Sequence, residues 1–161
     1  MEEEVIIKFV KTHPDATLIP DAKLPTKAHN DDNCFDLYCV EDTNIKPSKC
    51  NPIGNVEIAS GVVPVGIKVA YITPGYGFVI KPKSGLGFKH NLQPHLGEVD
   101  NGYRGDCAVK MYNFGDKRYV FEKGDKVAQI KIEKVYDTTI KWADEVEEAN
   151  RGDAGFGSSG K

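Results

Sequence analysis

The sequence predicts an all-β fold, a sandwich or barrel of many short strands. Three observations carry that expectation. Sixteen glycines and nine prolines are spread through 161 residues and cut the chain into short apolar segments. Those segments are rich in β-branched and aromatic side chains, which suit a pleated, half-buried surface. The last of them, 126–135, alternates, with Ala128, Ile130 and Ile132 on one face and Gln129, Lys131 and Glu133 on the other. Many such strands separated by turn signals point to a sandwich or barrel.

Taken in order, strands are expected at 5–10, 35–40, 66–72, 77–80, 107–113, 119–121 and 126–135. Ser84 is placed to N-cap a turn or two of helix through residue 89. In 141–150, Trp142, Val146 and Ala149 stand at helix-like spacing, yet the segment reads equally well as an arm. No repeat and no interdomain linker is evident, so residues 1–150 form one domain. The tail, 151–161, has four glycines, two serines and only one large apolar group, Phe156. It cannot fold on its own and is expected to be mobile until a ligand or partner orders it.

Composition narrows the functional classes. Lys and Arg number 21 and Asp and Glu 24, a net charge of −3. Binding to a nucleic-acid backbone runs on clustered positive charge, so nucleic acid is not an expected partner. No apolar run approaches the ~20 residues of a membrane span. The start, Met1-Glu2-Glu3-Glu4, is acidic where a secretory signal is basic. A soluble, cytoplasmic protein is expected, with no membrane partner. The cysteines at 34, 39, 50 and 107 form no CxxC pair and match none of the four histidines at zinc-finger spacing. They read as reduced thiols.

Four stretches carry chemistry. Val99-Asp100-Asn101-Gly102-Tyr103 has the Asn-Gly signature of a type I′ hairpin, whose central residues both take φ > 0. Asp100 and Tyr103 would then close the hairpin and project from one face. Alone, this stretch is an ordinary surface hairpin. Pro82-Lys83-Ser84-Gly85-Leu86-Gly87 sets a cation, a hydroxyl and a flexible backbone ahead of a helix, an arrangement suited to an anion. Alone, it is a capped loop. Gly124-Asp125-Lys126-Val127-Ala128-Gln129 starts a strand after a turn and leaves the Gln129 amide on the polar face. In the tail, glycines can wrap a phosphate, Ser158 and Arg151 add donors, and Phe156 can close over a flat ring.

Together these stretches resemble the trimeric deoxyuridine triphosphate nucleotidohydrolases, the dUTPases. The resemblance spans roughly residues 25–160 and has five parts in order. They are Cys34-Phe35-Asp36-Leu37-Tyr38, the stretch 82–90, the stretch 97–105, the stretch 124–129 and the Arg-Gly-x-x-Gly-Phe-Gly-Ser tail. It implies a distorted jelly-roll barrel with one short helix, assembled as a homotrimer. It also implies hydrolysis of dUTP to dUMP and pyrophosphate, a dUTP diphosphatase activity that limits uracil in DNA and supplies dUMP for thymidylate synthesis. Mg²⁺ would ride on the triphosphate, with Asp36 within reach of one of its waters but not a direct ligand.

By the same resemblance Asp100 is the general base for the attacking water. The uracil edge pairs with backbone groups of the hairpin, Val99 among them, and Tyr103 lies under the deoxyribose, where a 2′-hydroxyl would collide. Ser84, the backbone at Gly85 and Gln129 hold the phosphates, with Lys83 as a nearby cation. The tail closes last, Phe156 over the uracil and Arg151, Gly157 and Ser158 on the phosphates. Each site would draw Lys83, Ser84 and Gln129 from one chain, Asp100 from a second and the tail from a third.

The sequence departs from the family pattern in places. Lys83 stands where Arg is usual, Gly102 where Asp is frequent, and Glu98 where an apolar residue is usual. Residues 91–96 do not match, and 41–60 read as a long surface excursion. Two alternatives share the fold: a dCTP deaminase-like enzyme, and a non-enzymatic relative that acts by binding a regulatory protein. The Asp100–Tyr103 hairpin and the Arg/Phe tail speak against both, although a dUTPase can also bind such a partner.

Overall fold

The computed structural model describes residues 4–12, 22–150 and 152. In chain order the elements are β1 (Ile7–Lys11), β2 (Phe35–Tyr38), β3 (Thr43–Ile45), β4 (Lys49–Cys50), β5 (Val56–Glu57), β6 (Ala59–Val63) and β7 (Ile67–Ile72). Then follow β8 (Tyr76–Lys81), α1 (Ser84–His90), β9 (Leu92–Pro94), β10 (Glu98–Val99), β11 (Val109–Asn113), β12 (Tyr119–Phe121) and β13 (Lys126–Lys134). The fold is all-β with one short helix, as the sequence predicts.

Two sheets enclose the core. One runs β10-β8-β13-β2 and the other β6-β11-β9, with the pairs β1-β7 and β12-β3 closing the sides. All these pairings are antiparallel. Leu37, Val69, Phe78, Met111, Phe121 and Ile130 meet between the layers, each 2% exposed or less. Close packing of such side chains is the main favourable contribution to folding.

The seven expected strands are present, their ends within two residues of expectation. Strands β3, β4, β5, β6, β9 and β10 are not among those expected; five of the six are only two or three residues long and none is a continuous apolar run. Much of 41–60 is therefore framework rather than excursion: Ile45 on β3 is fully buried, and β3 pairs with β12. Only the β4–β5 hairpin projects, with Ile53 83% exposed at its tip.

The helix departs from expectation at its start. Lys83, not Ser84, is the N-cap residue, extended at φ −90°, ψ 123° and without a side-chain cap. Ser84 is the first helical residue, because the first turn closes on the Lys83 carbonyl through the Leu86 N–H at 3.1 Å. Asn91 ends the helix in the left-handed region at φ 55°. Residues 141–150 form no helix. They run as an exposed arm, with Ile140, Trp142 and Val146 almost wholly in solvent. A helix there would have had no partner for its apolar face.

All four cysteines are free thiols, with Cys39 and Cys107 buried. Burial pushes the Cys107 thiol up to about 11, so it stays protonated at neutral pH. Among the described residues no helix is long and apolar enough to cross a membrane.

Candidate active site

Strand register builds the first part of the site. Across three strands, Asp36 on β2 faces Gln129 on β13, and Gln129 faces Lys81 on β8. The chain then passes through Pro82 to Lys83. Gln129 Nε2 donates to the Pro82 carbonyl at 2.8 Å, which ties this loop to the sheet. Asp36 is 4% exposed. One of its oxygens meets Lys83 Nζ at 2.5 Å and the other meets Lys126 Nζ at 2.7 Å. Burial raises the Asp36 carboxyl, but hydrogen bonds and charge from Lys126 and Lys83 outweigh it and hold the group below its ordinary value. The same bond to Asp36 raises the Lys126 ammonium.

Asp36 sits between two ammoniums and Asp32 lines the same place, so two carboxylates balance the two lysines. The depression there holds about 320 Å³ and is lined by Ala28, Asp32, Asn33, Cys34, Asp36, Lys83 and Gln129. Lys83 in the lining offers an ammonium to an anion. The pocket suits a bare cation poorly, since both Asp36 oxygens already serve lysines. Among the described residues no group of three or more His, Cys, Asp or Glu is arranged to hold a metal.

The second part is the turn after β10. The Tyr103 N–H donates to the Asp100 carbonyl at 3.0 Å. Neither Asn101 nor Gly102 lies in the left-handed region, so the turn is not type I′. No strand returns beside β10 either. The chain leaves the turn and crosses to β7, where Asp106 bridges Lys68. Asp100 and Tyr103 therefore do not close a type I′ hairpin, and they border different depressions. Asp100 borders a depression of about 370 Å³ with Gly77, Asn101 and Glu133. Tyr103 borders another, of about 300 Å³, with Gly97, Val99 and Cys107.

Side-chain chemistry explains why the Asn-Gly signal misled. Asn101 turns its amide inward and donates to the carbonyls of Ile72 (3.3 Å), Thr73 (3.0 Å) and Tyr76 (2.9 Å). Asparagine is there as an anchor to the β7–β8 connection, not for its tolerance of positive φ.

Within one chain the two parts stay apart. Val99 pairs with Phe78, so the turn lies near Gly77, while Lys83 lies six residues further along. The turn thus lies toward the start of β8, whereas Lys83 follows its far end. A general base must come within hydrogen-bond reach of the reacting water, directly or through one more water. The structure thus brings Asp36, Lys83 and Gln129 together, with Ser84 adjoining, and it brings Val99, Asp100 and Tyr103 together, but it does not join the two groups. The tail residues Arg151, Phe156, Gly157 and Ser158 lie outside the described residues.

Two residues of the site escaped the sequence reading, Asn101 and Lys126. Lys126 was hidden by a bulge: the β13–β2 register shifts between Lys126 and Ala128. Strict alternation would put Lys126 on the buried face with Ala128, whereas in the structure Val127 goes inward and Lys126 reaches Asp36. Its place in the 124–129 stretch was the one available signal.

Solved structures share this all-β fold. A Staphylococcus bacteriophage 80alpha dUTPase variant with dUpNHpp superposes with a TM-score of 0.74 at 22% identity, covering 97% of this chain and 99% of that one. A phage phi11 dUTPase, described with a structural Mg(II) ion, gives 0.69 at 20% identity over 89% and 99%. The dUTPase family model matches residues 20–160. The deoxyuridine 5′-triphosphate nucleotidohydrolase of Kluyveromyces lactis is 38% identical over 142 residues, 88% of each chain. That of Helicobacter pylori strain P12 is 35% identical over 156 residues, 96% of each. The chain belongs to the dUTPase family.

Proposed function

We infer that the chain is a dUTP diphosphatase, hydrolysing dUTP to dUMP and pyrophosphate, and that it works as a homotrimer with shared sites. The observation that carries the shared site is the separation just described. Two groups of chemically apt residues are each well supported locally, yet lie toward opposite ends of β8. A second chain that sets its turn beside the first chain's lysine cluster completes the set. The exposed arm supports assembly, since Ile140, Trp142 and Val146 have no cover among the described residues. Closed threefold packing would cover three such arms alike.

In this reading Lys83, Ser84 and Gln129 receive the triphosphate, and Lys126 keeps Asp36 ionised while Lys83 turns to phosphate. Asp100 of the neighbouring chain accepts the proton of the attacking water. Val99 and Tyr103 receive base and sugar in the depression they border. The tail, from Arg151 through Phe156, Gly157 and Ser158, covers the site. Mg²⁺ belongs to the substrate's triphosphate here, where it offsets phosphate charge; Asp36 is committed to its lysines. The enzyme is read as cytoplasmic, where four unpaired thiols stay reduced.

One co-expression tests the scheme. Asp100→Asn should lose about 10²–10⁴-fold in turnover, the usual worth of a general base, while still binding dUTP. Deletion of residues 151–161 should give a folded trimer that is nearly inactive. In trimers mixed equally from these two inactive chains, a site works when its Asp100 comes from a deletion chain and its tail from an Asp100→Asn chain. Random mixing in a closed ring then restores about a quarter of the sites. Verified mixed trimers no more active than either parent would overturn the shared site, and normal turnover by Asp100→Asn would overturn the base.

A further inference from the structure

We propose that Gly105 is a specificity-positioning residue: its missing side chain fixes the angle of the Tyr103 ring and thereby the discrimination against a ribose. The proposal rests on the reading of Tyr103 as the wall beneath the sugar. Gly105 itself contacts no substrate in that reading.

The ring is held at its far end. Tyr103 Oη donates to the Asp106 carbonyl at 3.1 Å, so the side chain spans the two residues between them and lies back on the chain at Gly105. The backbone on either side is pinned. Arg104 donates to the carbonyls of Asn101 and Tyr103, both at 2.7 Å. Beyond the ring, Asp106 bridges Lys68, and the Cys107 N–H donates to the Ile67 carbonyl at 3.0 Å. The acceptor that anchors the phenol is therefore itself fixed to β7.

Gly105 is the gap in this arrangement. Its backbone does not require glycine, because it is not among the residues of positive φ. Space requires it. A Cβ at this position would run into the Tyr103 hydroxyl and lie 2.6 Å from Cζ and 2.9 Å from Cε2. All three atoms belong to the outer half of one ring, in a side chain 44% exposed. Such a clash is relieved by moving the ring, not by moving the backbone. A side chain at 105 thus breaks the Tyr103–Asp106 hydrogen bond and tilts the ring while leaving the fold in place. The Tyr103 ring is one wall of the depression shared with Gly97, Val99 and Cys107. Tilting that wall opens or shifts the space that excludes a 2′-hydroxyl.

The test compares kcat/KM for dUTP and UTP, read by pyrophosphate release, in the full-length protein. Gly105→Ala should fold and melt like the parent and should narrow the dUTP/UTP ratio by roughly tenfold or more, the scale of one misfitted group in a binding pocket. In the Tyr103→Ala background the same substitution should change neither the ratio nor the melting temperature, since the ring it displaces is gone. An unchanged ratio in Gly105→Ala overturns the proposal. If Gly105→Ala does not fold, the pair Tyr103→Ala and Tyr103→Ala/Gly105→Ala decides. A double variant less stable than Tyr103→Ala shows that Gly105 serves the backbone, which also overturns it. The reading beneath is judged separately: Tyr103→Ala with an unchanged ratio removes Tyr103 as the sugar wall, whereas a relaxed Tyr103→Ala beside an unchanged Gly105→Ala removes only the role of Gly105.

Discussion

The lysine cluster and the Asp100 turn are held in opposite ways. Around Asp36 the geometry depends on ion pairs, each lysine engaging one carboxylate oxygen. At the turn, Asn101 and Arg104 donate to backbone carbonyls. The difference suits the proposed tasks. A polyanionic substrate can take over an ammonium from a carboxylate, so the cluster can rearrange as phosphate arrives. No substrate replaces the carbonyls of Ile72, Thr73 and Tyr76, so the turn keeps its shape whether or not nucleotide is present. Ion pairing serves the part that must exchange partners, and bonding to backbone carbonyls serves the part that must stay still.

The sharpest way to break this contrast is at Asn101. Asn101→Ala leaves three carbonyls without their donor and should cost about 1–3 kcal/mol in urea unfolding, the range for polar groups stripped of a partner. Turnover should fall with it, because Asp100 is the adjacent residue. Unchanged stability would mean that the turn is held elsewhere.

A smaller effect is expected at Asp36, because both lysines reach solvent and solvent weakens their pairing. Its carboxyl is lowered in the folded state, so its contribution is fully present above the unfolded carboxylate value near ~4 and is lost as pH falls through the lowered folded value. Asp36→Asn should therefore be the less stable protein at pH 7 and should lose less than the parent on acidification to pH 3. Denaturation midpoints at the two pH values measure this, and parallel losses would show that the ion pairs do not hold the cluster.

The smallest effect should follow Lys83→Arg. The guanidinium keeps the charge and can keep the Asp36 pair, so melting temperature should hold and KM should move more than kcat. Complete inactivation would show a requirement for lysine itself.

Legibility in the sequence followed the range of the interaction. Strand β13 can be read because its residues 128–133 repeat a two-residue period. Strand β10 could not, since Glu98 and Val99 become a strand only by pairing with Val79 and Phe78. Ile45 looked like part of a surface loop because its burial is created by β12, more than seventy residues later. Asp36, Lys83, Gln129 and Asp100 are singled out through their local stretches, and the resemblance already assigns Asp100 to another chain than Lys83 and Gln129; register adds that Asp36 joins the lysine group. The turn at 100–103 was located correctly and typed wrongly, because Asn101 serves distant carbonyls rather than its own dihedral angles. A bulge, which leaves no mark in composition, concealed Lys126.

The exposed arm has a spectroscopic consequence. Trp142 is the single tryptophan of the chain, and its side chain is fully exposed. Folding of the barrel therefore leaves the indole in water, with the red-shifted emission of an unburied ring. In the proposed trimer only docking of the arm onto a neighbour changes that environment. The intrinsic fluorescence of this protein then reports association of subunits and is nearly silent on the folding of each, so the two events can be followed separately in one sample.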